Sequence, residues 1–402
     1  MSSRPIGPDS GVQRLTDEGY CVEVREQHLL LHDVPYVTVG KEVKSGTLAC
    51  TYVKNAETVL PPDNHQVWWT EEYPCFADGT PISQIQNENT QQQLFPGFTI
   101  RHRFSNKPEG VSGFSDHYSK LLHYVRIIED QAKALDHEVD ARKSRGNLST
   151  ISETSPFTYE DSASARAEIQ TTTSRLALRR VAIIGLGGTG SYILDQLAKT
   201  PISEIHLFDG DVYLQHNAFR SPGAATLEEL AFASKKTDYF ARKYGAMHKG
   251  IKSHPYNIES ETLSDLVDLD FAFISVDAGP VRKMLFDYFM ARRTPFIDVG
   301  MNLQLVATSG KLVGLCRTTL VTPTENEHFG DHVPLDSDDG ADALYRQNIQ
   351  VADMNALNAQ LAVMIWKQYF GFYNRDFPVT NLVFSVNSLS LAWNTAFSRD
   401  GT

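Results

Sequence analysis

Four glycines stand within six residues, Gly185, Gly187, Gly188 and Gly190 of GLGGTG, between a hydrophobic run (VAIIGL) and a helical pattern. Lacking side chains, they allow a tight turn and bring backbone N–H groups against a phosphate at the positive end of a helix. The next hydrophobic run, EIHLFD, ends at Asp209, where an acid suits a ribose hydroxyl. Up to this point a redox dinucleotide and a nucleoside triphosphate fit equally well. The residues that follow separate them. DGDVYLQHNAFRSPGA puts Asp209, Asp211, Asn217 and Arg220 in one loop, and Lys236 follows in SKKTDYFARKY. A third run ends at Asp277, with Arg282 five residues on. A dehydrogenase needs one acid here and has no use for Asn and Arg aimed at phosphates. Two basic groups and a carboxylate at the phosphate end suit in-line attack on phosphorus, with the cations neutralising departing pyrophosphate and Asp277 holding Mg²⁺. The blander roles are also defined: Asp211 and Asn217 shaping the turn, Asp277 capping a helix, Lys236 on a solvated helix face, and Arg282 serving structure rather than catalysis.

The elements that must position these residues are short buried strands alternating with helices. VAIIGL, EIHLFD, LDFAFISVD and TPFIDVG are such strands, which argues for a mostly parallel sheet with helices on both faces. Beyond Gly300, LQLVATSGKLVGLCRTTLV reads as an antiparallel hairpin, followed by a long polar connection. A helix then carries Met354, Leu357, Leu361 and Met364 along one face, and NLVFSV reads as the last strand. The fold class expected for 176–402 is α/β, doubly wound. Residues 1–145 form a smaller α+β domain: short strands bounded by Gly, Pro, Asn and Asp lead to a helix in FSDHYSKLLHYVRIIEDQAKALD. Between them, 146–175 is rich in Ser and Thr without periodicity and reads as a linker or arm.

Composition narrows the class. A net charge of −12 argues against a nucleic-acid binder, and no run approaches the roughly 18 apolar residues of a membrane span. The N-terminal MSSRPIGPDSG lacks an apolar targeting core, so a cytoplasmic location is expected. Four scattered cysteines, Cys21, Cys50, Cys75 and Cys316, with no C-x-x-C, fit neither a disulfide framework nor a zinc site, and no zinc is expected.

The combined motif resembles the family of ThiF, MoeB and the ubiquitin-activating enzymes: G-x-G-G-x-G, then D-x-D, N-x-x-R, a downstream Lys, and a strand-terminal Asp followed by Arg. The resemblance covers roughly residues 160–390 and implies a Rossmann-like adenylation fold. It implies that Asp209 binds the ribose of ATP, that Asn217, Arg220 and Lys236 bind the triphosphate, and that Asp277 coordinates Mg²⁺. The implied reaction is attack by the C-terminal carboxylate of a ubiquitin-like protein on the α-phosphate, giving an acyl-adenylate. It further implies a homodimer, with Arg166 reaching the partner's ATP, and a conjugating-enzyme partner. Lys235 competes with Lys236, because the interval after Arg220 is longer than the family's. The N-terminal region resembles one found ahead of some bacterial ThiF-type proteins in ubiquitin-like conjugation clusters.

Other readings are a nicotinamide-dependent oxidoreductase and a non-catalytic scaffold for nucleotide or a ubiquitin-like protein. The sequence also departs from relatives that form a thioester, since the connection after the hairpin has no cysteine. Cys316 lies on an expected strand. Cys75, with His65 nearby in sequence, reads rather as a buried strand-end thiol. No thioester on this chain is expected.

Overall fold

The computed structural model describes residues 10–142 except 57 and 112, 149–151, 155–335 except 160, and 349–395. Contacts group the chain into two compact units, one ending at Ser155 but including 159–174, the other holding 156–158 and the chain from Arg175.

The first unit opens with α1 (Ser10–Asp17), β1 (Val22–Arg25), β2 (His28–Val37) and β3 (Val43–Thr51). A small ribbon of β4 (Lys54–Asn55) and β5 (Thr58–Val59) precedes β6 (Gln66–Trp69), β7 (Gln86–Phe95) and β8 (Phe98–Ser105). With β9 (Ser149–Ile151) they make a seven-stranded sheet of order β7-β8-β6-β3-β2-β1-β9, in which only β1–β9 is parallel. The helix α2 (His117–Leu135) starts where Asp116 accepts a hydrogen bond from Ser119 N at 2.6 Å. Leu121, Val125, Ile128 and Ala132 recur at helical spacing and are fully buried on the side that packs against β2.

Residues 161–174, inside the stretch that reads as a linker, belong to the first unit as α3 (Ser162–Arg166) and α4 (Gln170–Thr173). Polar anchoring replaces hydrophobic periodicity here, which is why the segment carries no packing pattern. Glu168 pairs with Arg103, Gln170 Nε2 donates to Glu26 O at 2.9 Å, and Thr171 Oγ1 donates to Gln93 O at 3.0 Å.

The second unit is the doubly wound α/β fold. Its strands are β10 (Arg180–Ile184), β11 (Glu204–Phe208), β12 (Ile251–His254), β13 (Phe271–Ile274), β14 (Phe296–Val306), β15 (Lys311–Val321), β16 (Val379–Ser385) and β17 (Ser390–Thr395). The order is β12-β11-β10-β13-β14-β15-β16-β17, parallel as far as β14 and antiparallel beyond it. Helices α5 (Gly188–Leu197), α6 (Gln215–Ala218), α7 (Leu227–Phe232), α8 (Lys236–Gly245), α9 (Gly279–Arg292), α10 (Phe329–His332) and α11 (Ala352–Tyr369) connect or cover these strands. The two-residue alternation of each strand divides its side chains between two cores. Val181, Ile183, Phe271 and Phe273 face the core shared with Leu194, Phe240 and Trp366, while Ala182, Ile184, Ala272 and Ile274 face the core shared with Leu285 and Phe289. Strands buried on both faces explain the uninterrupted hydrophobic runs of the sequence. Two edge strands lie beyond the sequence reading, β12 on one side and β17 beyond NLVFSV (β16) on the other, while TPFIDVG and the first arm of the hairpin form one continuous strand, β14. Among the described residues no helix is long and apolar enough to cross a membrane.

Candidate functional site

Strand order reverses at β10, flanked by β11 and β13, and a crevice of 520 Å³ opens at the carboxyl ends of these strands. The glycine loop forms its floor. Gly185 has φ of +92°, and its N–H donates to Phe208 O at 2.8 Å. A Cβ there would collide with the Ser275 carbonyl just past β13, so both conformation and space demand glycine. Gly188, at the start of α5, backs onto the Asn355 amide, which is itself held by Thr189 Oγ1 at 2.9 Å and by Val351 O at 3.0 Å. Gly187 and Gly188 line the crevice. Gly190 does not; it lets the first turn of α5 pack on the Gly185 carbonyl.

Asp209, nearly buried at the end of β11, accepts from Leu186 N at 2.7 Å and from Asp211 N at 2.9 Å, and so ties the glycine loop to the loop after β11. Lys236 opens α8 with its side chain 7% exposed, and its Nζ lies 2.7 Å from Asp211 Oδ2 and 3.4 Å from Asp209 Oδ2. The hydrogen bond from Lys236, reinforced by the charges of Lys236, Lys235 and Arg220, holds the Asp211 carboxyl below its ordinary range. Lys235 bonds instead to the Gly210 carbonyl; Lys236 lines the crevice and Lys235 does not.

Arg220 lines the same crevice, and its buried Nε–H has no acceptor among the described residues. A buried guanidinium N–H left unpaired costs on the order of 1–3 kcal/mol, so an anion arriving there recovers what the protein forgoes. Asn217 is placed differently. Its Oδ1 accepts from Leu214 N at 2.8 Å and its carbonyl accepts from Arg220 N at 3.1 Å; the residue shapes the turn that presents Arg220 and does not line the crevice. Asp277, exposed just beyond β13, also lines the crevice. Arg282 is buried, 3.2 Å from Asp298, and donates through Nη1 to the Asp277 carbonyl at 3.4 Å. Arg166, at the end of α3 in the first unit, lies 3.9 Å from Asp63.

The sequence reading missed Asn257, Ile258, Gly300, Asn355 and Asn358, all of which line the crevice. The first three follow or continue parallel strands at their carboxyl ends, a position that topology alone marks. The asparagines of α11 carry no such signal, because the packing of that helix on α5, β14 and β15 brings them in, with Asn358 Nδ2 donating to Gly300 O at 3.1 Å.

These residues fit a nucleoside triphosphate: a glycine cradle that a Cβ would fill, an unpaired guanidinium N–H, a buried ammonium, and the exposed Asp277 carboxylate as a hard oxygen donor for Mg²⁺. Among the described residues no group of three or more His, Cys, Asp or Glu is placed to hold a metal ion unaided. None of the four thiols is activated. Cys50, Cys75 and Cys316 are buried, Cys21 half-buried, and burial pushes the Cys50 and Cys316 thiols up to about 11. His65 bonds to Ser105 Oγ at 2.9 Å.

The sequence profile of the ThiF family matches residues 162–394, and the chain belongs to that family. It is therefore of the E1-like adenylyltransferase kind. Residues 10–162 match a domain of unknown function, DUF6791. No curated protein is significantly similar to the chain. Solved structures of E. coli MccB are similar to it, one with ATP at 16% identity over 61% of this chain and 74% of that one, TM-score 0.46. Another holds MccB with AMPCPP and the selenomethionine form of MccA, at 17% identity over 60% and 72%, TM-score 0.48. PaaA is similar at 16% identity over 56% and 75%, TM-score 0.43.

Proposed function

We propose that this chain binds ATP in the crevice and uses it to adenylate the C-terminal carboxylate of a ubiquitin-like protein. The carrying observation is the buried Nε–H of Arg220, without an acceptor among the described residues, in the crevice that the glycine loop, Lys236 and Asp277 also line. The apolar wall of Ile258, Val276 and Val281 takes the base, and Asp209 with Asp211 offers carboxylate acceptors to the ribose. Arg220 and Lys236 take the phosphates. Mg²⁺ on Asp277 would draw charge from the triphosphate oxygens. The protein's own contribution is placement: the incoming carboxylate attacks the α-phosphorus in line, the P–O bond to the β-phosphate breaks, and the cations offset charge as pyrophosphate leaves. The electrostatic part of such sites is worth about 3–4 kcal/mol per well-placed donor.

Pyrophosphate exchange into ATP, with and without a ubiquitin-like protein ending in glycine, tests this. Exchange that depends on the partner's free C-terminus is expected. ATP binding without exchange for any such partner would instead support a nucleotide-binding scaffold. A homodimer with Arg166 acting in trans belongs to the same proposal: mixed dimers of Arg166→Ala and Asp277→Asn protomers should regain one working site, and verified heterodimers without activity would remove the trans arginine.

A further inference from the structure

Behind the crevice wall lies a buried ionic group that the proposed chemistry does not touch. Asp298, with no solvent exposure, sits on β14 opposite Ile274 of β13 on one side and Thr319 of β15 on the other. Two guanidiniums meet its carboxylate: Arg282 of α9 as an ion pair, Nε 3.2 Å from Oδ2 without hydrogen-bond alignment, and Arg317 of β15 through a close hydrogen bond from Nη2 to Oδ1. Both arginines are themselves buried. Arg317 also bonds Thr319 Oγ1, which is held by Asn381 Oδ1 at 2.8 Å, so the far side of the group is anchored in the sheet. The near side is Arg282, whose Nη1 reaches the Asp277 carbonyl.

A buried ion cluster is a poor way to gain stability, because desolvating three charges offsets their attraction, and apolar residues of similar size often serve as well. Here the cluster has a definite output. Asp277 follows a strand end and is itself exposed, so its backbone needs a fixed support to hold the carboxylate at one place in the crevice. Two cations on one anion also leave one positive charge in the wall, on the side where phosphate charge must be accommodated.

We infer that Asp298 is a positioning residue of the nucleotide site: it holds Arg282, and Arg282 holds the backbone of Asp277. The inference rests on the proposed assignment of Asp277 to Mg²⁺. Its test is the ratio of ATP affinity with Mg²⁺ to ATP affinity in EDTA, measured by calorimetry on the full chain alongside the thermal midpoint. In the unaltered protein this ratio should exceed about tenfold, the scale of a charge-assisted contact. Asp298→Asn should reduce it about tenfold while leaving affinity in EDTA within a few-fold, and adding Asp277→Asn should reduce it no further, as coupled residues behave. Arg282→Lys keeps the charge but lacks the fork that spans both partners, and should give the same loss even if Asp298→Asn does not fold. An unchanged ratio in a folded Asp298→Asn or Arg282→Lys protein overturns the inference. A ratio of one in the unaltered protein instead removes the Mg²⁺ assignment of Asp277 itself, and the inference with it.

Discussion

Lys236 Nζ lies 2.7 Å from Asp211 Oδ2, an ion pair between a buried ammonium and a carboxylate that is mostly in solvent. The asymmetry matters for binding. A buried lysine tied to a mostly exposed acid can exchange that partner for a phosphate oxygen at little cost, because the Asp211 carboxylate is then released to the ribose hydroxyls or to water. The pair is thus a placeholder that keeps the Lys236 side chain aimed at the crevice.

The first prediction follows from that pair. Lys236→Met should weaken ATP binding about 10- to 100-fold, the loss of one charge-assisted hydrogen bond of about 1.5–3 kcal/mol. Lys235→Met should change it no more than about threefold, since Lys235 bonds to the Gly210 carbonyl outside the crevice. Equal losses for the two variants would show that the lysine has been misassigned.

Asp277→Asn gives the second. The residue is exposed, so the substitution should leave the thermal midpoint within about 1 °C. Adenylate formation, read as pyrophosphate exchange with a working partner, should fall at least about 100-fold, the scale of removing one preorganised electrostatic group. Exchange at the wild-type rate in the folded variant would leave Asp277 without a role in metal binding.

The third concerns pH and the first unit. His28 is fully buried against Trp68 and Phe95, and burial lowers its pKa to about 4. Unfolded, a histidine titrates near 6.5. Between those values the unfolded chain binds a proton that the native chain does not, so stability should rise with pH from about 4 to 6.5 and be complete above that window. A shift of this size corresponds to at most about 3 kcal/mol. Chemical denaturation followed by tryptophan fluorescence should show the acid-side loss of stability, and His28→Leu should flatten part of it. A variant with the same slope as the parent protein would assign the acid sensitivity to other groups.

Legibility of the fold and site differed by physical cause. Four of the five parallel strands are legible because burial on both faces leaves runs such as VAIIGL without polar interruption; the edge strand β12, IKSH, is polar and only half-buried and carries no such run. The residues that line the crevice stand out in the sequence because a phosphate site would need glycine, Arg, Lys and Asp at fixed steps from strand ends. Strand β17 was not: its burial pattern is almost wholly exposed, and SLAWNT shows no clear alternation at a sheet edge. The segment 161–174 reads as a linker or arm because Glu168, Gln170 and Thr171 anchor it by polar contacts, which leave no hydrophobic periodicity. Asn217 shows the limit of a motif, since its spacing to Arg220 is the same whether its amide meets a phosphate or, as here, the Leu214 N–H. Asp298 was invisible in sequence: an acid within a buried strand makes sense only once Arg282 and Arg317 are seen on either side of it.

The last prediction concerns the thiols and the fate of the adenylate. A thioester needs a thiolate that reaches the adenylate carbonyl, and the thiolate fraction at neutral pH falls tenfold for each unit by which pKa exceeds pH. Cys316 lies in the middle of β15, paired with Met301 and Phe384 and fully buried, and its thiol is pushed up to about 11. Cys50 is equally buried and also pushed up to about 11. Burial likewise raises the thiols of Cys21 and Cys75. Iodoacetamide at pH 7.5 should therefore label native protein slowly, with half-buried Cys21 reacting first and the other three reacting only in denaturant. Replacing all four cysteines by serine should leave pyrophosphate exchange within a few-fold in any variant that folds, because the proposed adenylation uses none of them. The adenylate would then pass directly to a separate acceptor. A thiol-sensitive adduct between this chain and a ubiquitin-like protein, lost on Cys316→Ser or Cys75→Ser, would refute direct transfer and name the cysteine that carries the acyl group.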